Sequence, residues 1–104
     1  MCEKGRFAPS PSGRMHLGNL FSFLLAWLDA RAAGGRMVLR IEDLDPERTG
    51  EPWTSLLVED LRWLGLDWDI GPGKENGTGP YYQSRRTALY QAALEKLEDR
   101  GLVY

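Results

Sequence analysis

The sequence predicts an α/β fold of parallel strands joined by crossover helices, on three observations. An apolar start at residues 5–8 passes through Pro9-Ser10-Pro11-Ser12-Gly13 into a long amphipathic run, the pattern of a strand, a loop and a helix. One helix length later, Arg36-Met37-Val38-Leu39-Arg40-Ile41-Glu42 alternates, with Met37, Leu39 and Ile41 on one face and Val38, Arg40 and Glu42 on the other. Two strands separated by a helix cannot form a hairpin. They lie parallel, with their C-terminal ends on one edge of the sheet.

Each element has its own reason. Pro9 and Pro11 prevent a regular helix after the first strand, and Gly13 permits a turn or a close approach of backbone to a ligand. From His16 onward, Leu17, Leu20, Phe21, Leu24, Leu25 and Leu28 recur at helical spacing and are expected to form the buried stripe. Phe23 and Trp27 make a second apolar row, and Gly34-Gly35 ends the helix. Residues 43–50 form a charged loop. Pro52 is expected in the first turn of a second helix, whose apolar face is Trp53, Leu56, Leu57, Leu61 and Leu64 and which Gly65 stops. Leu66-Asp67-Trp68-Asp69 reads as a short strand or an extended segment, and residues 71–80 read as loop by composition. Ser84 is expected to cap a last helix with the face Leu89, Tyr90, Ala93, Leu94 and Leu97, ended by Gly101. Leu102-Val103-Tyr104 reads as the start of another strand. A parallel sheet interrupted there leaves half a crevice, so the chain is expected to be the N-terminal portion of a larger domain.

Composition narrows the function classes. A chain of 104 residues holds one domain at most, and its net charge of −2 argues against a strongly basic nucleic-acid module. The single cysteine, Cys2, cannot form an internal disulfide and is expected to be inert, as in a reducing compartment. The apolar run 17–28 is broken by Gly18, Asn19 and Ser22 and is too short to cross a bilayer, so a cytoplasmic protein without membrane contact is expected.

The βαβ topology brings Ser10, His16 and Glu42 to one crevice. There a helix opens with unpaired N–H groups and the positive end of its dipole, which favours an anion such as phosphate. Plainer readings exist for each residue. A lone histidine at a helix start is usually a surface or capping residue, Arg6 is a solvated strand residue, and Glu42 is a strand end beside an arginine. Asp43 and Asp45 are expected to be turn formers, and no protein-bound metal is expected. Trp53, Trp63 and Trp68 are expected in the core in preference to stacking on bases. Tyr81 and Tyr82 either line the site or anchor the last helix.

Four blocks then carry a resemblance that spans nearly the whole chain. Pro9-Ser10-Pro11-Ser12-Gly13 followed by His16-Leu17-Gly18-Asn19 resembles the signature of class I aminoacyl-tRNA synthetases in their glutamyl branch. Arg40-Ile41-Glu42-Asp43-Leu44-Asp45-Pro46-Glu47-Arg48 resembles that branch's second motif. Leu61-Arg62-Trp63-Leu64-Gly65-Leu66-Asp67-Trp68-Asp69 and Gly79-Pro80-Tyr81-Tyr82-Gln83-Ser84-Arg85 are similar to two further blocks. The resemblance implies a Rossmann-like catalytic domain, of which residues 1–104 form the part before the second phosphate-binding motif. It also implies ATP-dependent activation of L-glutamate to glutamyl-adenylate and transfer to tRNA.

Carried over residue by residue, the resemblance implies a glutamate pocket of Arg6, Ala8, Ser10 and Glu42. It implies an ATP site of Ser12, Gly13, His16, Gly18 and Asn19, with His16 catalytic and Mg²⁺ accompanying the ATP. Ser12 and the Gly-rich segment 71–80 look more like the branch that glutamylates queuosine in tRNA(Asp) than the branch that charges tRNA(Glu). The chain departs from the pattern in having Asn19 where histidine is usual, and in lacking a Lys-Met-Ser-Lys-type loop. The family's Cys-x-Cys zinc cluster is likewise absent, its ligands expected beyond Tyr104. A non-catalytic module that binds ATP and glutamate is the alternative from another class, and the downstream reading frame discriminates the two.

Overall fold

A computed structural model describes residues 4–104; Cys2 lies outside the described residues. The elements in order are β1 (Lys4–Phe7), α1 (Leu17–Ala32), β2 (Arg36–Leu39), α2 (Trp53–Trp63), a 3₁₀ turn (Gln83–Arg86) and α3 (Thr87–Asp99). β1 and β2 pair in parallel with Lys4 opposite Arg36 and Phe7 opposite Leu39, as the strand–helix–strand order requires.

Pairing continues past the end of β1, but in one direction only. The N–H groups of Arg40 and Glu42 donate to the carbonyls of Phe7 and Pro9, at 2.9 and 2.8 Å. The return bonds would have to come from Pro9 and Pro11, which have no N–H. On its other side, β2 and its extension meet two later segments. Leu39 N–H donates to the Ile70 carbonyl, Ile41 N–H donates to the Tyr81 carbonyl, and Gln83 N–H returns to the Ile41 carbonyl. Val38 bridges Ile70 and Ile41 bridges Tyr82, both in parallel. Residues 66–69 are therefore extended without forming a strand, and the sheet contact falls one residue later, at Ile70.

The predicted alternation of the second strand holds. Met37, Leu39 and Ile41 are fully buried and join Phe7, Ala30, Leu57, Leu61, Leu66 and Trp68 in one core. Val38, Arg40 and Glu42 are half-buried on the opposite face.

α1 turns a different face to the sheet from the one its leucines predict. Leu17, Phe21, Leu24, Leu25 and Leu28 are exposed. Phe23, Trp27 and Ala30, at helical spacing, meet the core instead, with Phe23 and Phe7 ring centroids 5.3 Å apart. The reason lies in the strand beneath. Gly5 leaves space for close approach: a Cβ there would lie 2.9 Å from the Ala30 Cβ and 2.5 Å from the Met37 Sδ. A row with a small residue at its base fits this strand, and a row of leucines does not. Leu17, Leu20, Phe21 and Leu24 instead line an apolar groove of about 390 Å³ with Leu64 and Leu66.

The packed row is also pinned by polar contacts. Trp27 Nε1–H donates to the Asp67 carboxylate at 3.0 Å, and Arg31 donates to Asp67 and Asp69 at 2.9 and 2.7 Å. Asp69 in turn accepts the Met37 N–H at 2.7 Å. These bonds tie α1, the start of β2 and the extended segment together. The Arg31 bond to Asp67, supported by the Trp27 N–H, holds the Asp67 carboxyl below its usual range. Asp69 is lowered first by the Met37 N–H and then by Arg31.

All three helices end alike. Gly34 at φ 67° follows α1, and Gly35 N–H donates back to the Ala30 carbonyl at 2.7 Å, which satisfies a carbonyl of the last turn. The Leu66-to-Leu61 and Leu102-to-Leu97 bonds repeat this at α2 and α3.

Several expectations are corrected. Pro52 is the N-cap of α2 and Trp53 its first helical residue. Of the predicted face, Leu57 and Leu61 are buried beside Thr54, whereas Leu64 is 41% exposed. Ser84 does not cap α3: it lies inside the 3₁₀ turn, and Arg86 occupies the cap position without a side-chain capping bond. α3 has no buried residue, so Leu89, Tyr90, Leu94 and Leu97 face outward, and residues 102–104 form no strand. Trp68 is buried as expected, Trp53 is half-buried, and Trp63 is 86% exposed. Among the described residues no helix is long and apolar enough to cross a membrane.

Candidate active site

The chain that leaves β1 folds back as a tight loop before α1. Pro11 is fully buried, and Ser12 N–H donates to the Ser10 carbonyl at 2.9 Å. This loop and the first turns of α1 enclose a cleft of about 520 Å³ at the C-terminal end of β1. Its wall is formed by Ala8, Pro9, Ser10, Ser12, Gly13, Arg14, Met15, His16, Asn19 and Phe23. Of the predicted residues, Ala8, Ser10, Ser12, Gly13, His16 and Asn19 thus share one wall.

His16 is the N-cap of α1, with extended backbone at φ −91° and ψ 169°. Its Nδ1 accepts the N–H groups of Gly18 and Asn19 at 3.1 and 3.3 Å, and Asn19 Oδ1 accepts the His16 N–H at 3.3 Å. This is a reciprocal capping box made with an imidazole. The plain capping reading of His16 is therefore correct as geometry, and it corrects one detail of the anion-site reading. Two of the helix-end N–H groups are already occupied by the ring. The compensation is on the other nitrogen: a ring that accepts at Nδ1 carries its proton at Nε2, which leaves one N–H to donate. Gly18 permits this packing, since a Cβ there would crowd the ring at 3.1 Å.

Arg6, Gly18 and Glu42 are not in the cleft wall. Arg6 is exposed on β1, and its side chain has no ion-pair partner among the described residues. Glu42 follows directly on the bond between its own N–H and the Pro9 carbonyl, which seats it beside Ser10. Its carboxylate, however, pairs with Arg40 at 2.8 Å, both side chains 29% exposed. Here too the plain reading, a strand end with a neighbouring arginine, describes the geometry. Alternation explains the pair: residues two apart on a strand share a face.

Asp43 is not the turn former expected. Its two carboxylate oxygens accept the N–H and hydroxyl of Ser84 at 2.9 and 2.8 Å. Asp45 does form a turn, accepting the Glu47 N–H at 3.0 Å. Among the described residues no group of three His, Cys, Asp or Glu side chains could hold a metal ion.

Sequence reasoning missed Arg14. It lines the cleft, and its guanidinium pairs with Asp60 of α2 at 2.7 Å. A cation inside a Pro/Ser/Gly loop two residues before the histidine was the available signal.

A parallel strand–loop–helix–strand unit, with a polar cleft at the strand's C-terminal end and a helix start in its wall, defines the N-terminal part of a Rossmann-like domain. Within that class the chain belongs to the family described as tRNA synthetases class I (E and Q), catalytic domain, which it matches over residues 4–104. It is 52% identical to the glutamyl-Q tRNA(Asp) synthetase of Nitratidesulfovibrio vulgaris, over 97% of this chain and 31% of that protein. It is 55% identical to the protein of the same name from Symbiobacterium thermophilum, over 96% and 31%. A glutamate–tRNA ligase of Dehalococcoides mccartyi is 52% identical over 95% of this chain and 20% of its own length. Among solved structures, a glutamate tRNA ligase from Elizabethkingia meningosepticum, crystallised with its amino acid, superposes with a TM-score of 0.86 at 36% identity, covering 92% of this chain and 19% of that one. The chain thus spans about a third or less of the length of the relatives it matches.

Proposed function

We propose that the protein activates L-glutamate with ATP and transfers it to tRNA, this chain forming the glutamate- and nucleotide-binding half of the catalytic domain. One observation carries the reading. The wall of a single cleft holds Ala8 and Ser10 at its strand end and Ser12, Gly13, His16 and Asn19 at its helix end. An amino acid and a nucleotide lying across that boundary meet at the carboxylate and the α-phosphate.

The reaction asks mainly for positioning and charge stabilisation. An oxygen of the glutamate α-carboxylate attacks the α-phosphorus, the bond from that phosphorus to pyrophosphate breaks, and glutamyl-adenylate forms. A hydroxyl of the tRNA then attacks the activated carbonyl, and AMP leaves. In this reading Arg6 takes the side-chain carboxylate of glutamate with its planar guanidinium. Ser10 hydrogen-bonds the amino acid, and Glu42 receives the ammonium group on the oxygen that Arg40 leaves open. His16 donates its Nε2–H to the phosphates, while Gly13 and Gly18 let the backbone come close. Mg²⁺ travels with the phosphates and is assigned no side chain.

For the acceptor we assign the queuosine base of tRNA(Asp), on Ser12 and the Gly-rich segment 71–80. tRNA(Glu) is the alternative. A cytoplasmic location follows from these partners.

The test is glutamate-dependent ATP–pyrophosphate exchange by the protein made from its complete gene. Exchange in the wild type and a loss of roughly 100-fold or more in His16→Ala are expected. No exchange in the wild type overturns the activity, and unchanged exchange in the variant overturns the role of His16. Charging assays with queuosine-containing tRNA(Asp) and tRNA(Glu) in parallel decide the acceptor; product on tRNA(Glu) alone overturns the assignment.

A further inference from the structure

We infer that Arg14 is a phosphate-binding residue of the cleft and that Asp60 is its positioning residue, an inference that rests on reading the cleft as the nucleotide site. Among the described residues, Arg14 is the only arginine or lysine in the cleft wall. The other polar groups there are hydroxyls, the Asn19 amide and the His16 ring. At the helix start, Nδ1 of His16 is engaged with the Gly18 and Asn19 N–H groups and Asn19 Oδ1 with the His16 N–H, which leaves the Nε2–H of His16 as the ring's donor. A triphosphate bound in this wall would therefore meet one formal positive charge, that of Arg14.

The guanidinium is placed for that role. One of its nitrogens contacts Asp60 Oδ1 at 2.7 Å, and its side chain is 60% exposed. A guanidinium has five N–H donors in a fixed fork, so a single contact leaves donors for phosphate oxygens. The partner lies 46 residues away on α2, and Asp60 is the less exposed of the two at 26%. Without that anchor, a long side chain on a loop spreads over many rotamers, and ordering it on the ligand costs affinity. Asp60 holds it at the cleft.

The test measures binding of ATP, inorganic tripolyphosphate and glutamate to the full-length protein by titration calorimetry, for the wild type, Arg14→Ala and Arg14→Lys. Arg14→Ala is expected to bind ATP and tripolyphosphate about tenfold more weakly, which corresponds to about 1.4 kcal/mol, with glutamate unchanged. Arg14→Lys should recover most of the loss, because it restores the charge. Equal ATP affinity in the wild type and Arg14→Ala overturns the inference and leaves the nucleotide reading standing. No ATP binding by the wild type overturns both. Weakened glutamate binding in Arg14→Ala without rescue by lysine overturns the inference as well, since Arg14 would then act through the loop's fold. For Asp60, Asp60→Asn should weaken ATP binding about threefold, with no further loss when added to Arg14→Ala. Additive losses remove Asp60 from the assignment.

Discussion

Asp43 holds Ser84 with both carboxylate oxygens, one on the backbone N–H at 2.9 Å and one on the hydroxyl at 2.8 Å, across 41 residues of sequence. The pair fastens the segment after β2 to the 3₁₀ turn, beside the Ile41–Tyr82 bridge. It therefore fixes the backbone that carries Glu42. Ser84→Ala removes one of the two bonds and is expected to cost about 1 kcal/mol; Asp43→Ala removes both charge-assisted bonds and costs about 2–3 kcal/mol. Urea unfolding of the two variants checks the order. A larger loss in Ser84→Ala than in Asp43→Ala would contradict it.

On the function proposed above, His16 has two duties that substitution can separate. Its Nδ1 caps α1, a task asparagine performs with its side-chain oxygen, whereas the Nε2–H has no counterpart at that position in asparagine. His16→Asn should hold the wild-type stability to within about 0.5 kcal/mol while losing exchange activity as fully as His16→Ala. His16→Ala should in addition lower stability by about 1 kcal/mol. Thermal melts and exchange rates on the same samples make the separation.

Gly5→Ala is expected to be destabilising by about 1–3 kcal/mol, although alanine is ordinarily harmless in a strand. The added Cβ falls 2.5 Å from the Met37 Sδ and 2.9 Å from the Ala30 Cβ, so the methionine must move and α1 must lift. Adding Ala30→Gly to Gly5→Ala should recover part of the loss if the helix contact is the cause. Denaturant midpoints of the single and double variants test this.

The clasp of Arg31 on Asp67 and Asp69 gives stability an acid limb with a definite sign. Both carboxyls titrate lower in the folded chain than in the unfolded one, Asp67 mainly through Arg31 and Asp69 mainly through the Met37 N–H. Their contribution is complete above the ordinary carboxylate value of about 3.9 and is lost as pH falls through the folded values. Asp69→Asn keeps an oxygen for the Met37 N–H and removes one of the two titrations. Its stability should fall less steeply with acid than that of the wild type, which urea midpoints measured from neutral pH downward will show. An unchanged slope would remove Asp69 from the acid limb.

What could be read from the residues was whatever depends on neighbours in the chain. The alternation of Met37, Leu39 and Ile41, the glycines after each helix and the histidine at the start of α1 are of this kind. So is the parallel pairing, because a helix between two strands leaves no other join. What escaped depends on residues far apart. The leucine row of α1 is the larger apolar row, but the row that packs was chosen by Gly5 beneath it and by Asp67, which receives the Trp27 N–H forty residues away. Ser84 carries the composition of a cap, yet Asp43 had already claimed it. In the site, the cleft wall gathers Ala8, Ser10, Ser12, Gly13, His16 and Asn19 and leaves out Arg6, Gly18 and Glu42. Arg14 was missed because nothing adjacent to it announces Asp60.

The two prolines of the loop give the sheet a seam that closes halfway and then stops. β2 donates to the loop at Arg40 and Glu42, and at neither step can Pro9 or Pro11 answer. Zipping the strands further would gain one bond where an ordinary pair gains two, so the chain is free to turn away at the place where the cleft begins. The mouth of the cleft is thereby set by covalent structure, in two rings that hold no hydrogen on nitrogen. No strand has to be prised away to open it.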